Sequence, residues 1–182
     1  MLCGILLSTD SVMKKPIITE RLTLKSFTDS DKQDFLSIVK DPLVKKTYML
    51  PDFSNEEEEE AFFQRLKKAT LDDSRFVYGV YLKDKVIGFI NEVTKEGNDI
   101  EIGYFISSQH WNHGYASEAL QTAIKMLFKL GYKRVYAGFF AGNSASERVM
   151  QKCGMQKTDK TDKIVYRKTE HLCYYYEIIK DN

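Results

Sequence analysis

The chain has 182 residues, 27 Lys and Arg against 26 Asp and Glu, and a formal net charge of +1, which excludes the cationic surplus needed to coat a nucleic-acid backbone. Its 43% hydrophobic and 13% aromatic content excludes a disordered chain and suits one folded domain of ordinary size. Cys3, Cys153 and Cys173 are odd in number and far apart, with no ligand spacing, so neither a disulfide scaffold nor a metal site is expected and a reducing cytoplasm fits.

The apolar run Ile5-Leu6-Leu7 is too short to span a membrane and has no basic residues ahead of it, so neither an anchor nor a secretory signal is expected. Met13-Lys14-Lys15 reads as a natural start. Residues 1–12 are then a loose extension or a start-site artefact, and 13–182 a single domain. From Ile17, the positions Ile18, Leu22 and Leu24 predict a first strand. Thr28-Asp29-Ser30-Asp31 is a cluster of capping residues, followed by Phe35, Leu36, Ile38 and Val39 at helical spacing, and Pro42 ends that helix. A second helix is expected from Ser54, with Glu57 completing a capping box and Phe62, Phe63, Leu66 and Ala69 forming one stripe.

Strands are expected over 75–82, 86–92 and 100–107, broken by Lys83-Asp84-Lys85 and Gly97-Asn98-Asp99. Ala116, Ala119, Leu120, Ala123, Ile124, Leu127 and Phe128 give the strongest helical stripe in the chain, closed by Gly131. Residues 134–140 read as a strand. Ser144 with Glu147 reads as a capping box for a short helix ended by Gly154, and the remainder through Leu172 to Ile179 as one or two more strands. The order is that of a mixed α/β domain.

The stretch between the strand ending near Ser107 and the long helix carries Gly114 and Ala116. Such a loop can aim several backbone N–H groups at one anion, with the helix dipole adding positive potential. A Walker A lysine and the three Rossmann glycines are both missing. By itself the loop is equally a plain connection whose Gly114 only makes a turn.

Trp111-Asn-His-Gly114-Tyr-Ala116 resembles motif A of the GNAT N-acetyltransferases, Gln/Arg-x-x-Gly-x-Gly/Ala, and its continuation Ser117-Glu-Ala-Leu120 is similar to the RimJ/RimL branch. Thr19-Glu-Arg-Leu-Thr-Leu-Lys25 resembles that branch's opening strand, and Asn143-x-x-Ser146 with Lys152-Cys-Gly154-Met its closing motif. The likeness runs from about Ile17 to Ile179. It implies a bent mixed sheet of about seven strands, splayed at the cofactor, with helices on both faces. It also implies transfer of an acetyl group from acetyl-CoA to a primary amine by direct attack, the acceptor being a protein N-terminus, a polyamine or a small molecule. No metal, nucleic-acid or membrane partner is implied, and a homodimer stays open.

On that resemblance, Asn112, His113, Gly114, Tyr115, Ala116 and Ser117 cradle the CoA pyrophosphate. Phe105 and Ile106 hydrogen-bond the pantetheine arm, and Asn143 fixes it from the other side. Glu101 is the base acting through water, preferred to Glu92, although a strand-end carboxylate has a plain solvated reading too. The acid tyrosine common in the family would stand at Met150, which leaves Ser146 to stabilise the leaving thiolate, unless it merely satisfies a helix end. The alternative function is a catalytically silent CoA-binding sensor or partner module. Glu56 to Glu60 reads first as a solvated helix start and second as an attractant for a cationic amine.

Overall fold

The computed structural model describes residues 14–181. The proposed extension 1–12 lies outside the described residues. The opening segment forms two strands rather than one, β1 (Ile17–Ile18) and β2 (Leu22–Lys25), paired antiparallel. Thr19 makes the reversal, since its N–H donates to the Leu22 carbonyl at 2.9 Å and its Oγ1 accepts from the Leu22 N–H at 2.8 Å.

Helix α1 (Lys32–Lys40) buries Phe35, Leu36, Ile38 and Val39 as its spacing predicts. It stops before Pro42, where Asp41 is extended with ψ 119°, as a residue preceding proline must be. Pro42 also begins a helix. The Asp41 carboxylate accepts from the Leu43 N–H at 2.8 Å and caps a single turn, α2 (Pro42–Lys45). Helix α3 (Glu56–Leu71) starts one residue later than expected. Asn55, not Ser54, is its cap, accepting from the Glu58 N–H at 2.9 Å, while the Glu58 carboxylate accepts from the Ser54 N–H at 2.8 Å. Phe63 is buried, with Phe62, Leu66 and Ala69 packed beside that core.

β3 (Val77–Leu82), β4 (Lys85–Glu96) and β5 (Asp99–Ile106) form an antiparallel meander. Helix α4 (Tyr115–Lys129) then leads to β6 (Arg134–Phe140), which lies parallel to β5. Helix α5 (Ser144–Lys152) precedes a hairpin of two 11-residue strands, β7 (Gln156–Tyr166) and β8 (Thr169–Ile179). The cap of α5 is Asn143 rather than the expected Ser144. Among the described residues the sheet has eight strands in the order β1-β2-β3-β4-β5-β6-β8-β7. β7 carries no apolar alternation; Lys157, Asp159, Lys160, Asp162 and Lys163 line an outer edge where charge deters pairing with other chains.

Alternation along the central strands divides the core between the two faces. Ile90, Ile100, Ile102 and Ile106 pack with Ala119, Leu120, Ala123 and Leu127 of α4, whereas Phe89 and Phe105 pack with Phe35 of α1 and Phe63 of α3. Cys153 and Cys173 are both buried, and burial pushes the Cys153 thiol up to about 11. Neither is expected to react with a thiol reagent at pH 8 in the native state, and both should react on denaturation. Mass-spectrometric mapping of labelled sites checks this.

Candidate functional site

β5 and β6 are parallel neighbours over only three residue pairs, Asp99–Arg134, Ile100–Val135 and Glu101–Tyr136. β5 continues to Ile106 and β6 to Phe140 with no further pairing between them. The two strands therefore part after Glu101 and Tyr136, and the β5 main chain beyond that point has no β6 partner.

Above this gap lies a cleft of about 250 Å3 bounded by the end of β5, the loop before α4, the start of α4 and the first turns of α5. Phe105, Ile106, Asn112, Gly114, Tyr115, Ala116, Ser117, Asn143 and Ser146 all line it. The segment from Phe105 to Ser117 and the start of α5 at Asn143 and Ser146, distant in the chain, thus meet in one cleft.

The loop conformation follows from its residues. Asn112 and Gly114 both have positive φ, 63° and 80°, a region that glycine enters without penalty and asparagine more easily than most. Gly114 is the N-cap of α4 and offers no side chain to its first turn. The Glu118 N–H returns to the Gly114 carbonyl at 3.0 Å, while the N–H groups of Tyr115, Ala116 and Ser117 precede the first intrahelical donor. An uncapped helix start opening onto a cleft leaves backbone donors and the positive end of the helix dipole facing that cleft.

α5 meets the cleft differently. The Asn143 side-chain Oδ1 accepts from the Ser146 N–H at 3.2 Å, and its Nδ2 donates to Ser146 Oγ at 2.9 Å. The serine oxygen is held by the asparagine amide, which leaves the hydroxyl proton to point elsewhere. Met150, at the family's tyrosine position, is fully packed in the core and takes no part in the cleft.

Glu101 and His113 do not line this cleft. Glu101 stands at the last β5–β6 pair, where the Thr94 hydroxyl donates to it at 3.4 Å and also meets the Tyr136 hydroxyl at 2.9 Å. Burial raises its carboxyl above the usual range, against the Lys160 charge and the Thr94 hydrogen bond, which pull it down. Lys160 itself lies 4.2 Å over the Tyr175 ring. Glu92, the other carboxylate considered, is committed elsewhere: it accepts from Arg75 Nε at 3.0 Å and the Phe76 N–H at 2.8 Å. The His113 ring stacks on Tyr115 with centroids 5.6 Å apart, and its backbone carbonyl accepts from Arg21 at 3.0 Å.

Several residues of the cleft carry no clear sequence signal. Tyr104 donates from its hydroxyl to the Ser146 carbonyl at 3.4 Å, and burial raises its phenol, keeping it protonated. The Trp111 indole N–H occupies the Ile106 carbonyl at 2.8 Å. Arg148 and Lys152 bring side-chain charge to a site that the loop alone would supply from main chain. Trp111 and Lys152 stood inside recognisable motifs; Tyr104 and Arg148 are strand and helix positions whose orientation depends on the sheet. Glu59 and Glu60 pair with Lys40 at 2.9 Å and Lys32 at 2.5 Å, so this part of the acidic run is spent on the neighbouring helix. Among the described residues, no His, Cys, Asp and Glu cluster could hold a metal, and no helix is long and apolar enough to cross a membrane.

Residues 21–156 match the family described as acetyltransferase (GNAT) domain. The chain is 28% identical over 172 residues to the uncharacterized N-acetyltransferase YoaA of Bacillus subtilis, covering 91% of this chain and 97% of that protein. It superposes on a GNAT-family acetyltransferase from Bacillus anthracis with a TM-score of 0.76 at 27% identity, covering 91% of this chain and 98% of that one. RimL, a ribosomal-protein alpha-N acetyltransferase solved in complex with coenzyme A, superposes with a TM-score of 0.75 over 91% of this chain and 98% of its own. At 17% identity the last likeness is one of fold.

Proposed function

This chain belongs to the GNAT acetyltransferase family, and from that premise we propose that it moves the acetyl group of acetyl-CoA to a primary amine by direct attack in a ternary complex. The observation that carries the reading is the meeting of an uncapped helix start with the parted strands in one cleft. That combination suits a ligand with a diphosphate at one end and an extended amide-bearing arm at the other. Coenzyme A is such a ligand, and RimL binds it.

Acetyl-CoA supplies an activated acyl group as a thioester. The backbone of residues 112–117 binds the diphosphate, and the unpaired β5 main chain toward Phe105 and Ile106 orients the arm as an added strand does. The Ile106 carbonyl is already taken by Trp111, which leaves its N–H as the Ile106 group for the thioester oxygen, where negative charge develops. Asn143 borders the arm from α5.

An alkyl ammonium must lose a proton before it can attack. Glu101, raised by burial and standing where the strands part, takes that proton through water. Attack forms the C–N bond and breaks the C–S bond, and the departing sulfur needs a hydrogen-bond donor or a proton. Ser146, its oxygen held by Asn143, supplies the hydrogen bond, and the protonated Tyr104 phenol stands next to it. Ser146→Ala is expected to lower kcat by about tenfold, the worth of one such bond, with the KM for acetyl-CoA little changed. Steady-state kinetics measures both.

The acceptor is tested by following thiol release from acetyl-CoA across polyamines, peptides with free N-termini and aminoglycosides. Turnover on one class supports the reading and names the acceptor. Tight CoA binding with no turnover on any amine would instead favour the silent module.

A further inference from the structure

α4 carries an apparent contradiction in its first turn. Its N-terminal N–H groups are the anion site of the proposed function, yet the same first turn carries Glu118, which follows Ser117 although it does not itself line the cleft. A carboxylate in that turn is drawn by the same positive helix end that a phosphate needs, and unless it is neutralised it lowers the potential of that end.

The β1–β2 turn answers this from 97 residues away. Thr19 Oγ1 donates to Glu118 Oε1 at 2.5 Å, the Arg21 N–H to the same oxygen at 2.8 Å, and Arg21 Nε to Oε2 at 2.7 Å. Burial alone would raise this carboxyl; these three bonds outweigh it and hold Glu118 below the usual carboxylate range. Glu118 is thereby ionised, drawn toward the β1–β2 turn and matched by a full positive charge.

The same guanidinium reaches the loop. Nη1 donates to the His113 carbonyl at 3.0 Å, and Nη2 lies 3.4 Å from where a Cβ on Gly114 would stand. The guanidinium carbon is 4.8 Å above the Tyr115 ring. One side chain therefore touches residues 113, 114 and 115 while neutralising residue 118. Pinning the His113 carbonyl to Arg21 keeps a partial negative charge out of the ring of donors.

We propose that Arg21 is a positioning residue of the donor site, neutralising Glu118 and fixing the His113 carbonyl so that the loop and helix start present net positive potential to the CoA diphosphate. This rests on the CoA reading above. A plain staple between a hairpin and a helix would show the same contacts, but it makes a different prediction about charge.

Isothermal titration of CoA into wild type, Arg21→Gln, Glu118→Gln and the double variant separates the two. Arg21→Gln is expected to weaken CoA about tenfold or more, since it leaves a carboxylate uncompensated in the first turn of the helix that binds the anion. Removing that carboxylate as well should restore affinity to within about threefold of wild type, because the repulsion disappears with its source. Melting temperatures of all four proteins control for folding. A double variant that binds CoA as poorly as Arg21→Gln would reduce Arg21 to a staple, and unchanged binding in Arg21→Gln would remove it from the site. Failure of the wild type to bind CoA would overturn the donor reading and this proposal with it.

Discussion

Gly114→Glu is expected to weaken CoA binding by at least about a hundredfold, the consequence of placing a like charge against a diphosphate at a cost of several kcal/mol. Part of any loss would come from the backbone, because φ at Gly114 is 80° and a side chain there costs about 1–2 kcal/mol. Gly114→Ala carries the same conformational strain without the carboxylate. A new Cβ would stand 3.4 Å from Arg21 Nη2, a contact that a flexible guanidinium can relieve. The expected ranking by calorimetry is wild type, then Gly114→Ala modestly weaker, then Gly114→Glu with binding nearly lost. Equal losses in the two variants would mean that backbone strain, not charge, explains them, and the diphosphate would have to lie elsewhere.

Glu101→Gln is expected to lower kcat/KM by about 10²–10⁴, the usual worth of a positioned base. The pH profile carries the sharper signature. A base works only when deprotonated, so activity rises with pH through its pKa. Burial holds Glu101 above the ordinary carboxylate value, against Lys160 and Thr94, which lower it. The acidic limb of kcat/KM should therefore lie alkaline of a free glutamate, shift further alkaline in Lys160→Met, and vanish in Glu101→Gln. An acidic limb that persists unchanged in Glu101→Gln would assign the proton to another group. CoA affinity should stay near wild type in Glu101→Gln, as Glu101 does not line the donor cleft.

These two variants address opposite sides of one gap. Gly114 belongs to the loop that ends in α4, and Glu101 to the last rung before β5 and β6 separate. Under the proposed function, a near-neutral chain holds a polyanion without a cationic surplus, because helix-end amides and a few placed side chains act locally.

Much of this was legible in the residues. The apolar stripe from Ala119 to Leu127 fixed the face of α4, since a helix repeats every 3.6 residues whatever surrounds it. Gly114 marked the turn because few other residues take its backbone conformation. Local competition was harder to judge. Asn55 and Asn143 displaced their serine neighbours as caps, as two adjacent capping residues differ too little in intrinsic preference for sequence to choose. Two strands close the chain where one or two were expected, and β7 had no legible bounds because its charged residues suit a sheet edge and have no buried face to create a pattern.

Apart from the split of the first strand and the single turn at Pro42, the sequence by itself determined the order of strands and helices, the position of the glycine loop and the faces that pack. Each depends on periodicity or backbone freedom within a few consecutive residues. Only the tertiary structure decided that β5 and β6 part after Glu101 and Tyr136, that Met150 turns into the core while Tyr104 enters the cleft, and that Arg21 meets Glu118. Those are consequences of register and crossing between distant segments, where one residue's slip reverses which face a side chain takes.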